Sequence, residues 1–186
     1  VTTTPEPHIT DKLRSDAITV LSAWPAPNPR QEGLRHRYLR YLSEHRDAMW
    51  RSCSPDHLTA SALIVSADRR HVLLTLHARA KRWLQTGGHC EAGDDTLAAA
   101  AIREAREESG IDALTIGSTP VLLSRHAVPF CGPAAHHLDV QYCAIAPVGA
   151  EIRVSSESDD VRWWPAVSLP EDADAAVRDL VAACTR

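Results

Sequence analysis

The chain has 186 residues, 44% of them hydrophobic and 24% charged, a balance that fits a soluble protein with one good core or one domain and an appendage. Its formal charge of −4, without a broad basic stripe, speaks against general nucleic-acid binding. No apolar run approaches a membrane span, and the opening residues VTTTPEPHITDKLRSD lack a basic-then-apolar leader, so a cytoplasmic protein without membrane attachment is expected.

In chain order, residues 9–23 carry the spacing of a short amphipathic helix, broken by the prolines of WPAPNPR, and residues 34–50 read as a second, charged helix. Together residues 1–50 form an N-terminal helical extension without a catalytic constellation, expected to pack on the main domain, residues 51–186, or on a second subunit of a homodimer. From His57 onward the runs LTASALIVSA and HVLLTLHA, separated by ADRR, predict two neighbouring strands or a hairpin. The basic segment Arg79, Lys81 and Arg82 that follows reads either as a phosphate contact or as a solvated turn.

A glycine-rich turn, an acidic helix start, an alanine-rich helix and a glycine stop follow in GGHCEAGDDTLAAAAIREAREESGI, residues 87–111. Asp94 or Asp95 suits the first free N–H groups of that helix, Ala98, Ala101, Ile102 and Ala105 share one face, and Gly110 stands where a left-handed cap is common. Further strands are expected in VLLSRHAV, in HLDVQYCAIAPV, around residues 152–154 and in DVRWWPA, and a last helix follows Pro170. Strands, helix, strands, helix is an α+β, three-layer arrangement. Cys53, Cys90, Cys131, Cys143 and Cys184 are irregularly spaced and suggest reduced thiols; Cys131, His136 and His137 match no common zinc spacing.

The helix carries the chemistry. Glu104, Glu107 and Glu108 stand at i, i+3 and i+4, which places three carboxylates on one narrow arc. Such clustering invites a cation, and carboxylate oxygens suit hard divalent ions such as Mg²⁺ or Mn²⁺, although Arg103 and Arg106 would serve as counter-ions of a merely solvated face. The stretch resembles the Nudix box: Gly, five residues, Glu, seven residues, Arg-Glu, an aliphatic residue, one residue, Glu-Glu, one residue, Gly and an aliphatic residue. Counted from Gly88 the first acid falls on Asp94, and counted back from Arg103 on Asp95, because the chain has one extra residue there; Ala105 stands in the aliphatic place.

The resemblance covers roughly residues 56–184 and implies a Nudix fold, an α/β/α sandwich around a mixed central sheet. It further implies metal-dependent hydrolysis of a nucleoside diphosphate linked to another moiety, a small-molecule nucleotide-type substrate. Glu104, Glu107 and Glu108 would hold the metal together with the carbonyl near Gly88, and Arg103 would steer a glutamate. The general base would be Glu107 or Glu108 in the box, or Glu157 from SSESDDVRWW. Trp83, Phe130, Trp163 and Trp164 are available for stacking a base, with at least one of the adjacent pair in the core. His136, His137 and Asp139 are candidates for reading the substrate, Glu91 for a water-mediated metal contact and His89 for phosphate or packing. The same resemblance leaves open a catalytically silent nucleotide-binding regulator, or an isoprenoid diphosphate isomerase-like enzyme using Cys90.

Overall fold

The computed structural model describes residues 8–128, 134–155 and 158–186, with side chains from residue 12 onward. Two helices open it, α1 (His8–Ala23) and α2 (Pro29–Glu44). Pro29 does not break the second helix but starts it: Asn28 caps α2 by accepting from the Gln31 N–H, and proline in the first turn has no N–H to waste. The helix therefore begins earlier than its charge pattern suggests, and it ends at Glu44, leaving Trp50 in a turn.

The remaining elements are β1 (Asp56–Val65), β2 (His71–His77), β3 (Trp83–Leu84), β4 (Thr86–His89), α3 (Leu97–Ser109), β5 (Thr115–Ile116), β6 (Leu122–Ala127), β7 (His136–Ile145), β8 (Ser158–Pro165) and α4 (Ala175–Cys184). All eight strands join one mixed sheet centred on the parallel pair β1 and β7, with the other pairings antiparallel. One edge of β1 is shared: Ile64 and Val65 pair with β2, whereas residues 59–62 pair with β4. Beyond that point β2 pairs instead with β3, while β8 runs along its other edge from end to end, so the sheet splays between β2 and β4, and the short segment β3–β4 bridges the gap. No strand forms at residues 152–154, where an extended segment instead ties the Arg153 N–H to the Ser109 carbonyl.

Strand alternation divides the core into two layers. Leu58, Ala60, Ala62 and Ile64 of β1 and Leu138, Val140, Tyr142 and Ala144 of β7 face a cluster with α1, α2 and α3. Leu63, Val65, Val72 and Leu74 face α4 through Val177, Leu180 and Val181. The result is an α/β/α sandwich. Trp163 packs with the first layer and Trp164 with the second, as expected of neighbours on a strand.

The N-terminal helices are built into the first layer. Leu13, Ala17, Leu21, Tyr38 and Leu42 are buried there. The Gln31 amide exchanges two hydrogen bonds with the backbone of Leu123, at 2.7 and 3.0 Å, in the manner of an extra strand along β6. The Tyr38 hydroxyl donates to the Ser124 carbonyl at 2.8 Å. Among the described residues no helix is long and apolar enough to cross a membrane.

Candidate active site

The site is assembled where α3 crosses the splayed part of the sheet. The N-cap of α3 is Thr96, whose hydroxyl accepts from the Ala99 N–H at 3.0 Å; neither Asp94 nor Asp95 fills that role. The extra residue explains the shift. It moves the helix start past both acids and leaves Asp94 in the preceding turn, where its Oδ2 accepts from the Glu91 N–H at 2.8 Å. Asp95 points outward to an exposed ion pair with Lys12. A second carboxylate reaches the helix start from the N-terminal region: Asp16 of α1 accepts from the Leu97 N–H at 2.8 Å. At the other end Gly110 adopts φ 71° and closes α3 through its N–H to the Arg106 carbonyl.

Ala101 and Ala105 have no exposed surface and let α3 lie close against β1 and β4, and the small residue at 105 thus has a packing reason. The face beside them is charged. Arg103 lies at its centre, donating through Nε and Nη2 to the two oxygens of Asp94 at 3.1 and 3.0 Å. Its Nη1 reaches Glu104 at 3.0 Å and Glu107 at 3.1 Å, and its Nη2 also bonds the His89 carbonyl at 2.9 Å. Burial opposes the charge on this guanidinium, but the bonds from Asp94 and the field of Glu104 outweigh it and hold its pKa above the usual arginine value. Asp94 is therefore the acid that clamps the arginine, and two of the three glutamates converge on one of its nitrogens.

Glu108 sits deeper. Its Oε1 accepts from the Gly87 N–H at 2.8 Å and its Oε2 from the Thr75 hydroxyl at 3.3 Å, so this carboxylate bridges β4 and β2 across the splay. Glu107 remains the most open of the three, with 59% of its side chain exposed against 14% for Glu104. Gly88 faces Glu104 so closely that a Cβ there would lie 2.6 Å from its Oε1. The glycine turn read from sequence is thus strand β4, running past the carboxylates with no side chain between.

Several other candidates are placed elsewhere. Lys81 pairs with Asp159 and Arg82 with Asp174, so two members of the basic segment tie loops together. Trp83 stacks edge-on against Trp164 at 5.3 Å and lies under Arg162. His136 pairs with Asp56, while its neighbour His137 points to the other face of the sheet beside His57 and His89. Asp139 is buried and accepts from Thr59 and Ser61. Glu91 is exposed, 3.9 Å from Arg103. Phe130, Cys131 and Glu157 lie outside the described residues. Thr75 and Asp16 had no signal in sequence, because their roles come from contacts with distant parts of the chain.

The profile of the NUDIX domain matches residues 55–184. The chain belongs to the Nudix family. It is accordingly a hydrolase of the pyrophosphohydrolase type, acting on acid anhydrides. Among solved structures, a NUDIX-family hydrolase from Clostridium perfringens is 25% identical, with 69% of this chain and 95% of that one covered at a TM-score of 0.57. The Ap4A hydrolase of C. elegans in a binary complex is 21% identical, over 67% of this chain and 92% of its own, at 0.58. The E. coli dihydroneopterin triphosphate pyrophosphohydrolase is 19% identical, over 69% and 94%, at 0.57. No curated protein matches the chain. In Nudix terms α3 is the box helix, and the fold agrees with these neighbours.

Proposed function

We propose that this Nudix protein hydrolyses a diphosphate linkage in a nucleoside diphosphate joined to another moiety, with Mg²⁺ or Mn²⁺ held by Glu104, Glu107, Glu108 and the carbonyl of Gly88. The observation that carries the proposal is the oxygen cluster beside Gly88: Glu104 lies against its bare Cα and meets Glu107 on the Nη1 of Arg103, which Asp94 holds in place. The donor set fits a hard divalent ion, since it is oxygen throughout and the missing Cβ at Gly88 leaves room for backbone and carboxylate to approach together. When bound, such an ion neutralises the bridging phosphates and lowers the pKa of water.

The chain's own residues supply orientation. Asp94 fixes the plane of Arg103, and Arg103 in turn holds the Glu104 and Glu107 carboxylates at the surface of the helix. Both oxygens of Glu108 already accept protein hydrogen bonds, so it serves as a fixed wall of charge rather than a proton acceptor. Glu107 is the box acid that solvent reaches, and we assign it the proton of the attacking water. The solved neighbours named for Ap4A and for dihydroneopterin triphosphate support a substrate with a phosphate chain, and it is at that level that we propose it.

The isomerase-like alternative needs a reactive thiol. Cys90 is 6% exposed, and burial first, with the nearby Asp94 carboxylate next, pushes its pKa up to about 12. The silent-regulator alternative sits poorly with retention of Arg103 and all three glutamates. The test is a phosphate- and pyrophosphate-release screen with Mg²⁺ or Mn²⁺ over nucleoside triphosphates, nucleotide sugars, dinucleoside polyphosphates, ADP-ribose and NADH. Release from at least one class, abolished by a chelator, is expected; no release from any of them would refute the proposal.

A further inference from the structure

On the sheet face opposite the box helix, four histidines form a row across adjacent strands. β4 contributes His89, β1 His57, β7 His137 and β6 His126, with His57 directly opposite His137 and His137 directly opposite His126. Three of them form a near-equilateral triangle, with ring centroids 5.1 Å apart for His57 and His89, 4.9 Å for His57 and His137 and 5.0 Å for His89 and His137. One nitrogen from each lies within 4.8 Å of the others. His126 is exposed and stands 5.4 Å from the His137 ring.

Two of the three rings, His57 and His89, hold buried nitrogens that lack good partners among the described residues. His57 is 1% exposed, and its ring nitrogens have no well-formed hydrogen bond, only a loose approach to the Cys53 backbone; Nε2 of His89 is buried and unpartnered among the described residues. Buried polar atoms in folded proteins nearly always have partners, and nitrogens of adjacent rings that lack them together ask for a common explanation. The next residues on the same face show the contrast: Asp139 accepts from Thr59 at 3.0 Å, from Ser61 at 2.7 Å and from Gln141 at 3.1 Å.

We propose that His57, His89 and His137 bind one transition-metal ion of the zinc class, at a site separate from the carboxylates of the box. Imidazole nitrogens suit zinc, cobalt, nickel or copper, whereas magnesium prefers oxygen, so the two sites select different ions. Zinc–nitrogen bonds of about 2.0–2.1 Å in a tetrahedral site put the nitrogens about 3.3 Å apart, so a bound ion would draw inward a triangle whose nitrogens now lie within 4.8 Å of one another. Three protein ligands leave a fourth position for water. An ordinary imidazole is already mostly neutral at pH 7, the form that coordinates a metal. The two sites stand back to back on β4, where Gly88 faces Glu104 and the next residue, His89, faces the other way.

The experiment uses the full chain, stripped with a chelator, dialysed into excess Mg²⁺ and titrated with Co²⁺. The expected result is one equivalent of Co²⁺ bound with the intense visible absorption of a four-coordinate ion, displaced by one equivalent of Zn²⁺. The Glu107→Gln variant is expected to keep that band, while His57→Phe and His137→Asn each weaken Co²⁺ binding by at least about tenfold. A wild-type protein without the band, or a band that survives both histidine substitutions, overturns the proposal. Should a variant fail to fold, imidazole nitrogen shifts in wild type decide: three histidines are expected to shift at one equivalent of Zn²⁺, and unshifted spectra overturn it.

Discussion

Replacing Gly88 with Ala separates the chemistry of this site from its stability. The added Cβ would meet Glu104 at 2.6 Å from Oε1, 2.7 Å from Cδ and 2.8 Å from Oε2, with no strand backbone among its nearest neighbours. Restoring ordinary contact at 3.4 Å moves the carboxylate by about 0.8 Å, which the end of a flexible side chain can do cheaply. Displacement on the order of 1 Å costs about 10²-fold in a positioned catalytic site. Gly88→Ala should therefore lose about two orders of magnitude in kcat while its unfolding free energy stays within about 1 kcal/mol of wild type. Gly87→Ala is the built-in contrast: its Cβ would meet the Cβ and Cα of Ser61 at 2.3 and 2.7 Å, so β4 must leave β1, at a cost of about 1–3 kcal/mol. Steady-state phosphate release and urea unfolding on both variants decide the matter. A Gly88→Ala enzyme with wild-type kcat, or one that loses several kcal/mol along with its activity, would refute the reasoning.

Arg103→Met removes the cation from among Asp94, Glu104 and Glu107 and should cost about 3 kcal/mol, because Asp94, 6% exposed, keeps only the Glu91 N–H and loses its charged partner; unchanged thermal melting would count against the clamp. Asp16→Ala should destabilise by about 0.5–2 kcal/mol through loss of the acceptor at the start of α3, with Asp16→Asn restoring most of it in urea titrations. Burial raises the Asp16 pKa above its ordinary 3.8, against the opposing bond from Leu97, so the native state binds this proton more tightly than the unfolded chain. The stability linked to that proton is thus fully present below pH 3.8 and is lost as pH rises through the higher folded value, while the bond from Leu97 remains; Asp16→Asn should flatten that fall, and an unchanged pH profile would contradict the assignment. Cys90→Ala should keep most of the hydrolytic rate, and its abolition would revive the thiol-based alternative.

What the sequence made legible was local. The helix that carries Glu104, Glu107 and Glu108, the left-handed stop at Gly110 and the strands in LTASALIVSA and HLDVQYCAIAPV all depend on neighbours a few residues away, and the fold contains each of them. The registers left ambiguous at Asp94 and Asp95 needed tertiary contact: only Arg103 distinguishes the two acids, and the cap passed to Thr96 once the extra residue lengthened the turn. β4 read as a glycine turn because its strand character comes from pairing with β1 rather than from its own side chains. Long-range register hid the histidine triangle, which joins residues from three strands far apart in sequence, and likewise hid the carboxylate that α1 lends to α3.

The most direct measurement is metal-dependent hydrolysis by wild type and Glu107→Gln, assayed side by side on the best substrate from the release screen. Glu107 is exposed and Gln preserves its shape, so the fold should be unaffected. The account predicts equal melting temperatures and a fall in kcat of about 10²-fold or more, the several kcal/mol that a metal-bound carboxylate site contributes. Comparable turnover in the two proteins would contradict it.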